Sequence, residues 1–175
     1  MMQDILLVID MQNDFIDGAL GSTAAQAIVP YVVERVKQFE GTVLFTRDTH
    51  RANYLETQEG RNLPVEHCLR DTDGWQIHPA LEALRETEPI DKVSFGAASL
   101  PAVLSDFDDR DRISSITLLG LDTDICVISN ALLIKAFFPE ILVQVDARGC
   151  AGVTPVSHKT ALDAMKACQI TILNA

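Results

Sequence analysis

The chain has 175 residues, of which 47% are hydrophobic and 22% charged, and its formal net charge is −11. This size predicts a single domain over residues 1–175, with enough apolar side chains for a core without disulfides or a structural metal. The negative charge argues against nucleic acid or an anionic membrane surface as a partner, because both bind basic patches. No signal peptide or membrane-spanning apolar run is apparent, so reduced cysteines and a cytoplasmic location are expected.

Apolar segments of strand length alternate with segments of helical periodicity along the chain. Strands are predicted over residues 4–10, 42–46, 89–91, 115–119, 141–145 and 169–173. Helices are predicted over residues 26–39, 79–84, 99–104, 124–138 and 156–168. This alternation predicts an α/β fold of three layers, α/β/α, around a mostly parallel six-stranded sheet. With the strand order 3-2-1-4-5-6, a ligand-binding crevice would lie between strands 1 and 4.

Residues 47–76 lack a clear period. Three of the four histidines of the chain lie in or beside this segment. A stretch of about thirty residues without an element is uncommon in a compact domain and is often functional. The segment is therefore a candidate binding loop.

The stretch ITLLGLDTDICV, residues 116–127, predicts a strand, a turn and a helix that opens with Thr123 and Asp124. Cys126 falls in the first helical turn, where the positive end of the helix dipole favours the thiolate. The alternative is a buried cysteine that packs as a small apolar side chain. Asp10 ends the first strand and, in the strand order above, faces Cys126 across the crevice. This convergence favours a catalytic pair.

Three segments carry a recognisable pattern. They are DMQNDF at residues 10–15 after strand 1, Lys92 after strand 3, and GLDTDICV at residues 120–127 before a buried helix. In this order and on this fold, they resemble the isochorismatase-like cysteine hydrolase family over essentially the whole chain. The resemblance implies that Cys126 is the nucleophile, that Asp10 is the general base and acid, and that Lys92 is the third member of the triad.

The resemblance also implies how the triad would work. A small carboxamide would form a thioester on Cys126, which water activated by Asp10 would hydrolyse. The backbone N–H groups of Asp122 and Cys126 would form the oxyanion hole, and the Leu121–Asp122 peptide bond would be cis. A homo-oligomer is expected from the family.

A second pattern concerns a metal. The segments DTH at residues 48–50 and LPVEHC at residues 63–68 are similar to the D-x-H and P-x-x-H-C motifs with which nicotinamidases, one branch of this family, hold a divalent ion. The implied ligands are Asp48, His50 and His67. Asp48 and His50 would lie on the same side of an extended segment. One carboxylate and two imidazoles suit zinc, with iron or manganese as alternatives, and no organic cofactor is implied. The alternative is that His50 and His67 bind no metal and make ordinary hydrogen bonds in a loop.

The chain departs from the nicotinamidase pattern around the expected substrate. Tyr54 stands near the place of a further histidine, and Leu63 stands where an aromatic side chain is common. With Phe15, these two residues are the candidates for the substrate pocket. The segment after Lys92 is also shorter than usual.

The activity implied by the resemblance is that of a nicotinamidase-like amidohydrolase, which converts nicotinamide to nicotinic acid and ammonia. Two alternatives remain open. One is a related cysteine hydrolase that acts on an N-carbamoyl compound or an isochorismate-like vinyl ether. The other, from a different class, is a catalytically silent small-molecule binder on the same fold.

Overall fold

The computed structural model describes residues 2–110 and 112–175, without the side chains of residues 109 and 110. Six strands form one sheet in the order β3-β2-β1-β4-β5-β6, and all neighbours are parallel. They are β1 (Gln3–Ile9), β2 (Thr42–Asp48), β3 (Ile90–Lys92), β4 (Ile113–Leu121), β5 (Leu142–Ala151) and β6 (Thr171–Leu173). The predicted fold class and strand order are confirmed.

Within the described residues, seven α-helices lie in the connections between the parallel strands. They are α1 (Asn13–Ile16), α2 (Thr23–Gln38), α3 (Gln58–Asn62), α4 (Pro79–Glu82), α5 (Leu100–Arg110), α6 (Ile128–Phe137) and α7 (Pro155–Ala167). Among the described residues, no helix has the length and apolar composition needed to cross a bilayer.

Local capping explains why two helices begin where they do. The side chain of Ser22 accepts a hydrogen bond from the backbone N–H of Ala25, so α2 starts three residues earlier than its apolar period predicts. Thr154 and Ser157 form a reciprocal capping box at α7, with Pro155 in the first turn. After β2 ends at Asp48, the rest of the segment 47–76 contains a 3₁₀ turn at Tyr54–Glu56 and the short α3.

The centre of the core is β1. Its five consecutive apolar residues from Ile5 to Ile9 are fully buried between β2 and β4. An apolar run of this kind is typical of a strand covered on both faces of a parallel sheet. The carboxyl ends of β1, β2, β3 and β4 consequently meet at one edge of the sheet, where the polar residues Asp10, Asp48 and Lys92 follow or end their strands.

Gly120 keeps β4 close to β1 at this edge. Its φ of 126° is unfavourable for any residue with a side chain, and a Cβ there would lie 2.1 Å from the carbonyl oxygen of Ile9. We expect Gly120→Ala to lower the free energy of unfolding by on the order of 3 kcal/mol, because backbone cannot move aside as a flexible side chain can. Denaturant unfolding measures this loss. Gly96→Ala is the control, since its nearest contact would be at 3.8 Å; equal losses in the two variants would contradict the explanation.

Candidate active site

The sheet edge brings three of the predicted residues into contact. Asp10 follows β1, Lys92 ends β3, and Cys126 lies in the turn after β4. The Nζ atom of Lys92 is 2.7 Å from Asp10 Oδ2 and 3.4 Å from Cys126 Sγ. The exposed fractions of these residues are 0% for Asp10, 3% for Lys92 and 5% for Cys126. The predicted triad is thus a single buried cluster.

Asp10 is held by its neighbour on β2. Thr46 Oγ1 donates a hydrogen bond to Asp10 Oδ1 at 2.7 Å and accepts one from the Asp10 backbone N–H at 3.2 Å. The backbone of Asp10 has a φ of 47° where the chain leaves β1. Thr46 is a residue that the sequence did not single out, because a threonine in a buried strand carries no distinctive signal.

Lys92 connects the triad to the segment after β2. Its ammonium group donates to Asp48 Oδ1 at 3.1 Å and to the Ser94 carbonyl at 3.0 Å. Burial alone would lower the pKa of Lys92, but the charges of Asp10, Cys126 and Asp48 outweigh it and raise the pKa well above its ordinary value. The surroundings of Lys92 therefore favour its charged form.

The surroundings of the Cys126 thiol act against the thiolate that the sequence predicts. Burial, followed by the negative charge of Asp10, raises the pKa of Cys126 well above its ordinary value, although Lys92 opposes this. Burial also raises the pKa of Asp10, against the pull of Lys92. Desolvation and the charge of Asp10 thus oppose the helix dipole, which the sequence predicts to favour the thiolate. The thiol would have to lose its proton to a neighbouring base.

Cys126 is presented by a single π-helical turn, Thr123–Val127, that precedes α6. The turn is closed by the backbone N–H of Val127, which donates to the Asp122 carbonyl at 3.1 Å. The Leu121–Asp122 peptide bond at its start is cis. Asn130 fixes the turn from α6, because its side chain donates to the Cys126 carbonyl at 2.8 Å and accepts from the Ala97 backbone N–H at 2.8 Å.

A second polar cluster lies beside the triad and contains all three predicted metal ligands. Asp48, His50, His67 and Glu59 each offer a ligand atom, and these four atoms lie within 4.8 Å of one another. His50 Nε2 is 2.9 Å from Asp48 Oδ2 and 3.6 Å from Glu59 Oε1. His67 Nε2 is 3.7 Å from both carboxylates. Glu59, on α3, was missed because no motif in the sequence marks it.

The cluster fits a divalent cation. His50 Nε2 is buried and makes no well-oriented hydrogen bond with the described residues. The Nδ1 atom of His67 lies 2.8 Å from the Val65 carbonyl, which can only accept, so Nε2 presents its lone pair to the cluster. Two carboxylates and two imidazoles around one point are a donor set that suits zinc, iron or manganese.

A cavity of about 580 Å³ opens over both clusters. Cys126 and Asp122 line one part of it, and Asp48, Glu59 and His67 line another. The remaining lining is largely apolar and comes from Phe15, Leu20, Leu63, Phe95, Ile125 and Val153. The site thus combines a buried thiol, a group of metal-ligand type and an apolar space of the size of a small molecule.

Comparison with known proteins identifies the family. The isochorismatase domain matches residues 4–175. The chain belongs to the isochorismatase family. It is 25% identical over 191 residues to the nicotinamidase/pyrazinamidase of Mycobacterium tuberculosis, a match that covers 96% of this chain and 97% of that protein.

Solved structures agree with this assignment. The pyrazinamidase of Pyrococcus horikoshii in complex with zinc superposes on this isochorismatase-family protein with a TM-score of 0.83 at 25% identity, over 99% of both chains. The nicotinamidase/pyrazinamidase of Bacillus subtilis shares the fold with a TM-score of 0.86 at 24% identity, over 99% of this chain and 100% of that one. The predicted relation to the nicotinamidase branch, whose members are hydrolases of a non-peptide C–N bond, is confirmed.

Of the three predicted pocket residues of this isochorismatase-family protein, two line the cavity and one does not. Phe15 and Leu63 line the cavity. Tyr54 does not, and its prediction needs correction. Its hydroxyl donates to the Leu63 carbonyl at 2.9 Å, and its ring packs edge-on against His50 and His67. Because the 3₁₀ turn directs it inward, Tyr54 supports the two histidines from behind.

Proposed function

We propose that this protein is a nicotinamidase-like amidohydrolase that converts nicotinamide to nicotinic acid and ammonia. The observation that carries the proposal is the contact of Asp10 and Lys92 with Cys126, which lines a cavity together with Asp48, Glu59 and His67 of the metal-type cluster. A buried cysteine that served only as a small apolar side chain would need none of these charged neighbours. The nicotinamidase and pyrazinamidase relatives supply the substrate class.

The chemistry begins with proton transfer from the Cys126 thiol to Asp10, which the raised pKa of the thiol makes necessary. The thiolate attacks the carboxamide carbon, and the backbone N–H groups of Asp122 and Cys126 stabilise the resulting oxyanion. Asp10 returns the proton to the nitrogen as the C–N bond breaks, so ammonia leaves and a thioester remains.

Hydrolysis of the thioester completes the cycle. Asp10 takes a proton from a water molecule, whose oxygen attacks the acyl carbon, and the thiolate leaves and is reprotonated. Lys92 stabilises the negative charge that alternates between Asp10 and Cys126, because its ammonium contacts both. Atoms and charges balance: one amide and one water give one acid and one ammonia.

Asp48, His50, His67 and Glu59 would hold the divalent metal. When bound, the metal supplies a Lewis-acidic anchor for the ring nitrogen of the substrate. The residues of the chain then position the ring: Phe15 and Leu63 flank the space between this cluster and Cys126.

Ammonia release from nicotinamide tests the proposal. Purified protein loaded separately with zinc, manganese or iron is expected to turn nicotinamide over with at least one of them, and nicotinic acid should appear in equal amount. If no metal supports turnover of nicotinamide or pyrazinamide, the proposed substrate is wrong. Turnover of an N-carbamoyl compound or a vinyl ether would identify a related hydrolase instead, and tight ligand binding without turnover would identify a binder.

A further inference from the structure

The Asp122 carboxylate is a charged group in the cavity that the mechanism above does not use. Asp122 contributes a backbone N–H to that mechanism, while its side chain lines the cavity beside Ile125 and Cys126. Within residues 2–110 and 112–175, the carboxylate makes no hydrogen bond or ion pair with another side chain or with the backbone. The neighbouring Asp124 contrasts with it, because its Oδ1 accepts a hydrogen bond from the Val153 N–H at 3.1 Å.

The surroundings of this carboxylate favour a ligand that donates a hydrogen bond. Burial, then the negative charges of Asp124 and Asp10, raise the pKa of Asp122 to about 7. No cation offsets these effects, and the nearby lining is apolar at Ile125 and Val153. An unpaired carboxylate in such a place is stabilised by any N–H group that a bound molecule points at it.

The position of Asp122 relates this preference to the reaction. Asp122 is the N-cap of the π-helical turn that carries Cys126, and both residues line the cavity, so the Asp122 side chain lies on the same wall as the thiol at which a carboxamide would react. A carboxamide carries an NH₂ group, which donates. The acid that replaces it is an anion above its own pKa and has no donor. A carboxylate in the site therefore attracts the NH₂ group of the amide and repels the carboxylate of the acid.

We propose that Asp122 is a specificity-determining residue whose carboxylate accepts a hydrogen bond from the NH₂ group of the bound carboxamide and repels the carboxylate of the acid product. The inference rests on the proposed function, since it takes Cys126 as the reacting atom. Its consequence is that the site binds the amide in preference to the acid and releases the product readily.

Binding to a protein that cannot turn over tests this role directly. The probes are nicotinamide and nicotinate, titrated by calorimetry into zinc-loaded Cys126→Ala protein at pH 8, where Asp122 is ionised. Adding Asp122→Asn to the Cys126→Ala protein keeps the shape of the Asp122 side chain and removes its charge. We expect this change to tighten nicotinate binding by about tenfold, which corresponds to ~1.4 kcal/mol, and to weaken nicotinamide binding a few-fold.

Asp124→Asn is the matched control. It removes one negative charge from the same turn, its amide oxygen can still accept from Val153, and Asp124 does not line the cavity. The ratio of nicotinamide to nicotinate affinity should change by less than about twofold in this control. Asp122→Ser provides a second test if the asparagine variant does not fold, and it should shift the ratio in the same direction as Asp122→Asn.

Three outcomes would overturn the inference. They are an unchanged ratio in both Asp122 variants, an equal shift in the Asp124 control, and the absence of binding of both probes. Failure of the proposed function is a different result, because it is read from ammonia release by the unmodified protein. A protein that does not hydrolyse nicotinamide but loses its preference for the amide on Asp122→Asn would refute the function and keep the role of Asp122.

Discussion

Cys126→Ala is expected to reduce ammonia release from nicotinamide by a factor of roughly 10⁴ or more, because Cys126 is the one thiol among the described residues that line the cavity. The thiol is buried in contact with Lys92, and alanine fits the same space. The loss should therefore appear in kcat, while the fold and the affinity for nicotinamide are retained. Ammonia release and calorimetric titration of nicotinamide measure the two quantities separately.

Cys168→Ala is the control for this prediction, since Cys168 is exposed at the end of α7 and lies outside the cavity. It should leave turnover unchanged. Mass spectrometry of the unmodified protein quenched during turnover should detect an acyl adduct on the peptide that contains Cys126. Residual activity above a tenth of the original in Cys126→Ala would show that the thiol is not the nucleophile.

Loss of the metal site is expected to have the second-largest effect. His50→Ala and His67→Ala should each lower metal affinity by roughly 100-fold or more, because even groups that only orient a ligand cost 10–100-fold when they are removed. Ammonia release should fall in parallel, and a chelator should have the same effect on the unmodified protein. Metal content after dialysis, measured by elemental analysis, checks the affinity independently of activity.

The Glu59→Gln variant tests whether Glu59 is a fourth metal ligand or only a negative charge near the ion. If Glu59 contacts the ion, its replacement should lower metal affinity by about tenfold. His78→Ala is the control for the histidine variants, because His78 caps α4 and lies outside the cluster. Full metal content and full activity in both His50→Ala and His67→Ala would contradict the assignment of this cluster.

Much of the fold followed from local patterns in the sequence. The uninterrupted apolar run of β1 identifies a strand buried on both faces, and the alternation with helical segments leads to a parallel sheet. The boundaries were less accurate where capping or turn geometry decides them. Ser22 extends α2 at its start, and α5 runs six residues beyond its predicted end at residue 104.

The candidate catalytic and metal-binding residues were also identified from the sequence, because short motifs contain most of them. A cytoplasmic location and a homo-oligomeric state stay predictions. Glu59 and Thr46 could not be found in this way. Thr46 contacts Asp10, which is 36 residues away in the chain, and neither Thr46 nor Glu59 belongs to a recognisable motif.

The sequence by itself determined the order of the strands, the family and the chemical groups that the site contains. The tertiary structure decided how those groups behave. Lys92 contacts Cys126, 34 residues away in the chain, and Asp48, 44 residues away. Burial raises the pKa of the Cys126 thiol, and the surrounding negative charges raise the pKa of Lys92. The tertiary structure also turns Tyr54 away from the cavity and leaves the Asp122 carboxylate in it. Desolvation and charge interactions depend on contacts between separate strands, and a local pattern in the chain does not contain them.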